Sequence, residues 1–150
     1  MGQSLVQNYI HIVFSTKNRE KLILPEYEEQ LFKYLGGICK NNECNPVQVG
    51  GYLDHIHILC ILSKKITVSQ LLEDLKSNSS KWIKTLDIKM NGFYWQRGYG
   101  VFSVSKDRVD TVKRYIKNQK NHHTNITFQD EYKKILEELS IEYNELYLWD

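Results

Sequence analysis

Proline and glycine are scarce in this 150-residue chain, with two and eight respectively. That scarcity excludes a collagen-like or Pro/Gly-rich disordered chain. Cysteine is limited to Cys39, Cys44 and Cys60, an odd number with no C-x-x-C pair. A disulfide framework is therefore not expected, and a reducing cytosol is the default compartment. No stretch of 18 apolar residues occurs, so no membrane span is expected. The opening Met1-Gly2-Gln3-Ser4 lacks a basic region followed by an apolar run, so no secretory signal is expected either. Internal repeats, linkers and low-complexity tracts are absent as well. What remains is an ordinary globular mixture, 41% hydrophobic and 25% charged, expected to form one domain over residues 1–150.

Net charge is only +2, but it is unevenly spread. Residues 1–75 hold 7 Lys/Arg against 8 Asp/Glu, residues 76–120 hold 11 against 3, and residues 121–150 hold 2 against 7. A basic middle followed by an acidic tail points to a local anion-binding surface, with nucleic acid and a merely solvated face as the two explanations.

Hydrophobic patterning gives the elements. Gln7–Ser15 is rich in β-branched and aromatic residues and reads as a strand. Tyr27, Leu31, Tyr34, Leu35 and Ile38 recur at helical spacing between Glu26 and about Asn41. Two strands follow, Val47–Leu53 and Ile56–Leu62, with a bend near Asp54. A second helix runs from Val68 to Leu86, with Thr67 or Ser63 as its cap. A fourth strand spans Gly100–Ser105. A third helix is predicted from Lys106 to about His122 and a fourth from Phe128 to Leu139, while the tail from Tyr143 to Asp150 stays unassigned. The order β-α-β-β-α-β predicts an α+β, ferredoxin-like (RRM-like) fold. It would have a four-stranded antiparallel sheet, two helices on one face and added C-terminal helices.

Three segments carry residues suited to chemistry. In His55-Ile56-His57, strand alternation points both imidazoles to one face and Ile56, Ile58, Cys60 and Leu62 to the other. Two imidazoles so placed can reach one ion, although H-x-H alone also fits ordinary hydrogen-bonded histidines. In Tyr115-Ile116-Lys117-Asn118-Gln119, the phenol and the amide are i, i+4 and share a helix face. Arg108 and His122 fall on the same stripe, while Val109, Val112 and Ile116 form the apolar stripe that docks the helix. The third segment, Phe93 to Ser103, interleaves aromatics, Arg97 and glycines. It fits either stacking on unpaired bases or a loop leading into a core strand with Trp95 and Phe102 buried.

Taken together, these residues resemble a known family, the single-tyrosine HUH transposases of the insertion-sequence 200/605 type. The matching pieces are His11–Arg19, Asp54–His57, Trp95–Ser105, Tyr115–Gln119, and His122-His123 followed by Phe128–Tyr132. The resemblance runs from about Ser4 to Leu139. Its one noted departure is Val101, where alanine is common. It implies cleavage and rejoining of single-stranded DNA at insertion-sequence ends through a 5′-phosphotyrosine intermediate. Carried over, Tyr115 is the nucleophile, and His55, His57 and Gln119 hold a divalent metal, Mg²⁺ or Mn²⁺. His122 remains an alternative to Gln119. The implied partners are DNA hairpins beside a cleavage site and a second copy of the chain, with composite active sites in the homodimer. The implied location is the cytoplasm, at the nucleoid when bound to DNA.

Phosphate contacts are expected from the basic middle, with Lys76, Lys81, Lys84, Arg97, Arg114 and Lys117 as candidates, and binding should weaken steeply with salt. Two rival functions fit parts of the pattern. A non-catalytic or domesticated nucleic-acid-binding protein explains the basic segment but not the pairing of Tyr115 and Gln119 with the histidines. A metal-dependent phosphodiesterase using water needs the histidines but not Tyr115.

Overall fold

Strand β1 (Tyr9–Ser15) is buried along its whole length, as a β-branched and aromatic run at the middle of a sheet should be. A computed structural model describes residues 2–150. After β1 come α1 (Pro25–Asn41), β2 (Asn45–Tyr52), β3 (His55–Ile61), α2 (Val68–Ile83) and β4 (Gly100–Ser103). Three further helices follow: α3 (Val109–Lys117), α4 (Gln119–His122) and α5 (Phe128–Glu138). The strands form one antiparallel sheet in the order β2-β3-β1-β4, which is the ferredoxin-like arrangement expected from the element order. Among the described residues, no helix is long and apolar enough to cross a membrane.

The sheet has a different partner on each face. Ile10, Ile12 and Phe14 of β1 and Ile56, Ile58 and Cys60 of β3 pack against Leu31, Leu35 and Ile38 of α1 and Leu71, Leu72 and Leu75 of α2. On the other face, Tyr9 and Leu59 meet Val109 and Ile116 of α3. Val13 and Phe102 meet Phe128, Tyr132 and Leu136 of α5. The added helices therefore cover the face that the ferredoxin-like core leaves open.

Local signals explain the boundaries. Pro25 occupies the first turn of α1, where its missing N–H costs nothing. The Thr67 and Thr127 hydroxyls cap α2 and α5 by accepting from the backbone N–H of Gln70 and Asp130. Pro46 is tolerated because β2 is an edge strand, and the register shifts between Pro46 and Gln48.

Two expectations need correction, and one open alternative is resolved. The helix predicted from Lys106 to His122 is broken: a 3-10 turn covers Lys106–Arg108, and Asn118 (φ −98°, ψ 18°) separates α3 from the single turn of α4. Asparagine is a poor helix-interior residue, so the break falls there. Of the two readings given for the aromatic segment before β4, the core one holds for Trp95 and Phe102. Phe93, Trp95 and Phe102 are buried, and the Trp95 indole donates to Ser79 Oγ at 2.9 Å. Of that segment, Tyr94 and Tyr99 stay exposed. Lys76, expected to hold DNA phosphate, is a brace instead. Its Nζ donates to the carbonyls of Gln96, Arg97 and Gly98 at 2.7–2.9 Å, which uses all three ammonium protons.

Helix α3 comes close to the sheet at Gly50, where β2 offers no side chain beneath it. A Cβ on Gly50 would lie 2.6 Å from the Ile116 carbonyl oxygen and 2.9 Å from its Cγ2. Gly50→Ala should therefore lift α3 and destabilise the protein by about 1–3 kcal/mol, the usual cost of overpacking, seen as a lower denaturant midpoint.

Candidate active site

The β1–β3 pairing, α3 and the start of α4 bring four polar residues to one place. His55 and His57 project from β3 on the face away from α1 and α2, and both are fully buried. Docking of Val109 and Ile116 sets α3 over that face, so the Tyr115 ring lies edge-on to His57 at 5.6 Å between centroids. Gln119, at the start of α4, is buried and points its Oε1 to His55 Nε2 at 2.8 Å. The residues paired by sequence spacing therefore do converge, within a single chain.

Sequence reading missed the residue at the centre. Glu131 of α5 is 2% exposed. Its Oε1 lies 2.9 Å from His57 Nε2 and 3.5 Å from His55 Nε2. Its Oε2 accepts from the Tyr115 hydroxyl and, at 3.2 Å, from Gln119 Nε2. His123 Nε2 lies 3.2 Å from the same oxygen and 2.9 Å from Gln119 Oε1. His122 Nε2 is 3.1 Å from Glu131 Oε2 but off the axis that a hydrogen bond requires, and it is buried without a hydrogen-bond partner among the described residues. The sequence signal was a carboxylate set into the apolar stripe of Phe128, Tyr132 and Leu136.

Hydrogen bonding behind the imidazoles fixes their orientation. His55 Nδ1 lies 2.8 Å from Asp54 Oδ1, and a carboxylate only accepts, so Nδ1 is the protonated nitrogen. His55 Nε2 then faces the oxygens of Gln119 and Glu131. Flipping the Gln119 amide would set its oxygen against Glu131 Oε2 instead. Either a second ring proton or a cation reconciles the nitrogen with these oxygens. His57 Nδ1 pairs with His11 Nε2 of β1 at 2.8 Å, the two rings being stacked. Two groups of potential ligands share the carboxylate: His55, His57 and Glu131, and His122, His123 and Glu131.

The electrostatics follow from burial and from one charge. Burial, together with the neighbouring His57, holds the His11 imidazole down at about 3, and burial likewise lowers His57. Burial lowers His123 too, but hydrogen bonding to Glu131 and its charge outweigh that, for a net rise. Burial alone would raise Glu131; hydrogen bonds from His123 and His57 overcome it and hold the carboxyl well below its usual range. Burial and the Glu131 charge push the Tyr115 phenol well above its ordinary value, so at rest it keeps its proton.

Beside this cluster lies a cavity of about 560 Å³. Tyr115, His122 and Glu131 line it together with His11, Phe102 and Arg108. Arg108, Tyr115 and His122 share that wall despite the break at Asn118, as their common stripe predicts. The expected phosphate-binding residues do not all gather here. Arg114 and Lys117 are exposed on α3 next to Tyr115, and Arg97 is exposed in the segment before β4. Lys81 lies on α2 and Lys84 just past its end, across the sheet, with Lys84 Nζ 4.0 Å from the Tyr94 ring centroid.

The fold is that of tyrosine transposases. It matches a Deinococcus radiodurans protein assigned as a transposase with a TM-score of 0.61 and 22% identity, over 79% of this chain and 96% of that one. It also matches a REP-associated tyrosine transposase bound to a REP hairpin, with a TM-score of 0.61 and 11% identity, over 84% of this chain and 74% of that one. The sequence narrows the assignment: the chain belongs to the IS200-like transposase family, whose model matches residues 4–119. The transposases for insertion sequence element IS200 from Salmonella typhimurium and Salmonella typhi are each 31% identical over 114 residues, covering 73% of this chain and 74% of theirs.

The buried His11 makes a pH prediction. Its ordinary value of 6.5 falls to about 3 in the folded protein, so the unfolded chain takes up a proton across that window and the folded one does not. Its contribution to stability is full above pH 6.5 and is lost as pH falls toward 3, at up to about 1.4 kcal/mol per pH unit. His11→Gln keeps an N–H donor for His57 Nδ1, the ring proton of His57 lying at Nε2 against Glu131. Chemical unfolding of this variant at a series of pH values should give a shallower decline between pH 6.5 and 3 than wild type.

Proposed function

We propose that this chain is a metal-dependent single-strand DNA endonuclease and strand transferase that cleaves and rejoins insertion-sequence ends through a 5′-phosphotyrosine on Tyr115. The observation that carries this reading is the meeting of the Tyr115 hydroxyl with the buried His55, His57 and Gln119 around one carboxylate. A water-activating phosphodiesterase would have no use for a phenol held there.

The donor set suits a divalent cation. In the Nδ1-protonated form, His55 presents a bare Nε2 to two oxygens, a contact that a cation satisfies. The Asp54–His55 pair has the outer-sphere arrangement common behind metal-binding imidazoles. His55, His57 and Gln119 would hold the ion, and mixed imidazole and oxygen donors are compatible with Mg²⁺ or Mn²⁺. What such an ion supplies when bound is neutralisation of phosphate charge during in-line attack.

The chain's own residues supply the rest. Tyr115 Oη forms the new bond to phosphorus, and the bond from phosphorus to the 3′-oxygen breaks. The phenol proton, held at Glu131 Oε2 before reaction, balances the proton gained by the departing 3′-hydroxyl. A different 3′-hydroxyl can then reverse the step and join new ends. Docking of α3 and α5 over the histidines limits water around this ester. Exposed Arg114 and Lys117 flank the tyrosine and suit an incoming phosphate backbone. The hairpin bound by the REP-associated relative of this fold supports a DNA hairpin as the partner. A homodimer acting in the cytoplasm completes the reading; because the Tyr115–His57 contact lies within one chain, each tyrosine would serve its own chain's histidines, in place of the composite sites expected from the resemblance.

Incubated with a hairpin oligonucleotide and Mg²⁺ or Mn²⁺, wild type should form a covalent protein–DNA adduct seen as a shifted band on a denaturing gel. Tyr115→Phe should form none. Cleavage that persists in Tyr115→Phe would favour the hydrolase, and a wild type that never forms the adduct would favour a binding protein. Mixing Tyr115→Phe with His57→Ala should leave the preparation inactive, because neither protomer has a complete site; recovered cleavage would mean that the tyrosine helices are exchanged.

A further inference from the structure

Helix α5 carries a buried acid into the histidine site, and holding the Tyr115 hydroxyl uses only one of its two oxygens. The family match ends at residue 119, so Glu131 lies outside the matched segment. A carboxylate buried in the apolar stripe of a helix is costly to desolvate, and truncating one of its partners would strand the charge. Its two oxygens face different ways. Oε1 is turned to His57 Nε2 at 2.9 Å and to His55 Nε2 at 3.5 Å. Oε2 is turned to the Tyr115 hydroxyl, Gln119 Nε2 and His123. Neighbouring ligands of an octahedral Mg²⁺-sized ion stand about 3 Å apart. The spacings of 2.8 Å from His55 Nε2 to Gln119 Oε1 and of 2.9 and 3.5 Å from Glu131 to the two imidazoles lie around that value.

We propose that Glu131 Oε1 is a ligand of the divalent ion beside His55 Nε2, His57 Nε2 and Gln119 Oε1, while Oε2 of the same carboxylate tethers the Tyr115 hydroxyl. This rests on the metal-dependent reading above and adds a residue to it. The addition has chemical content. Two imidazoles and an amide are neutral, whereas a carboxylate brings a hard, charged oxygen that favours Mg²⁺ or Mn²⁺. It also joins the ion and the nucleophile through three covalently linked atoms, so that movement of α5 shifts both together.

The test is Mn²⁺ titration of the full chain by calorimetry without DNA. Wild type should bind Mn²⁺, and Glu131→Gln should bind at least roughly tenfold more weakly, since even residues outside the ligand shell cost about 10–100-fold when changed. Unchanged affinity in a folded Glu131→Gln, or no Mn²⁺ uptake by wild type, overturns the proposal. A second measurement needs no variant. Wild type labelled with ¹³C at its glutamate side-chain carboxyls should show, in electron–nuclear double resonance of bound Mn²⁺, the coupling of a directly ligated carboxylate; its absence overturns the proposal whether or not the variant folds. The adduct assay separates this idea from the function it rests on. No adduct despite a Glu131–Mn²⁺ coupling sinks the strand-transfer reading alone. Adduct formation with Mn²⁺ affinity indifferent to Glu131 sinks the ligand assignment alone.

Discussion

A single buried negative charge organises the open face of the sheet. The Glu131 carboxylate sits where water cannot solvate it, so the protein must surround it with donors or cations. Those partners come from four places in the chain: β3 gives His57, α3 gives Tyr115, α4 gives Gln119, and the segment after α4 gives His123. Apolar packing positions β3 and α3, and the charge then specifies how His57, Tyr115, Gln119 and His123 are arranged around it. The same requirement explains why α5 cannot move independently of α3. Phe128, Tyr132 and Leu136 hold α5 on Val13 and Phe102, and Glu131 links it to Tyr115.

Support for the imidazoles is layered behind the site. Asp54 fixes His55, and His11 pairs with His57. Farther out, Gln96 accepts from Ser15 N at 2.7 Å and donates to the Asp150 carbonyl at 3.2 Å. Lys76 collects the carbonyls of residues 96–98. The basic and aromatic residues that read as a nucleic-acid surface are therefore partly structural. Their charge and ring area stabilise the segment leading to β4, while Arg97, Arg114 and Lys117 stay exposed.

The sheet and half of the site were legible because they rest on short-range periodicity. Alternation in β3 sorted Ile56, Ile58 and Cys60 from His55 and His57, and i, i+4 spacing joined Tyr115 to Gln119. The break at Asn118 was not legible, since apolar periodicity continued through it and only the residue's weak helix preference marked it. Glu131 was hidden by company: it lies in an acidic tail where most carboxylates are solvated, and its importance depends on α5 folding back onto β1 and β4. His11 was obscured in the same way, because β1 reads as a uniformly apolar strand until β3 is laid beside it. Lys76 shows the reverse error, a cation whose charge is plain in the sequence and whose carbonyl partners, twenty residues on, are not.

The pairing of Ser15 with His55 and Val13 with His57 has a consequence for how the chain reaches this state. A slip of β3 by one residue would swing both imidazoles into the layer beneath α1 and α2 and turn isoleucines toward Glu131. The chemistry thus polices the alignment of these two strands. A cation taken up only by the correctly aligned chain would pull the folding equilibrium toward it by mass action, so that uptake of an ion would itself select the right strand pairing.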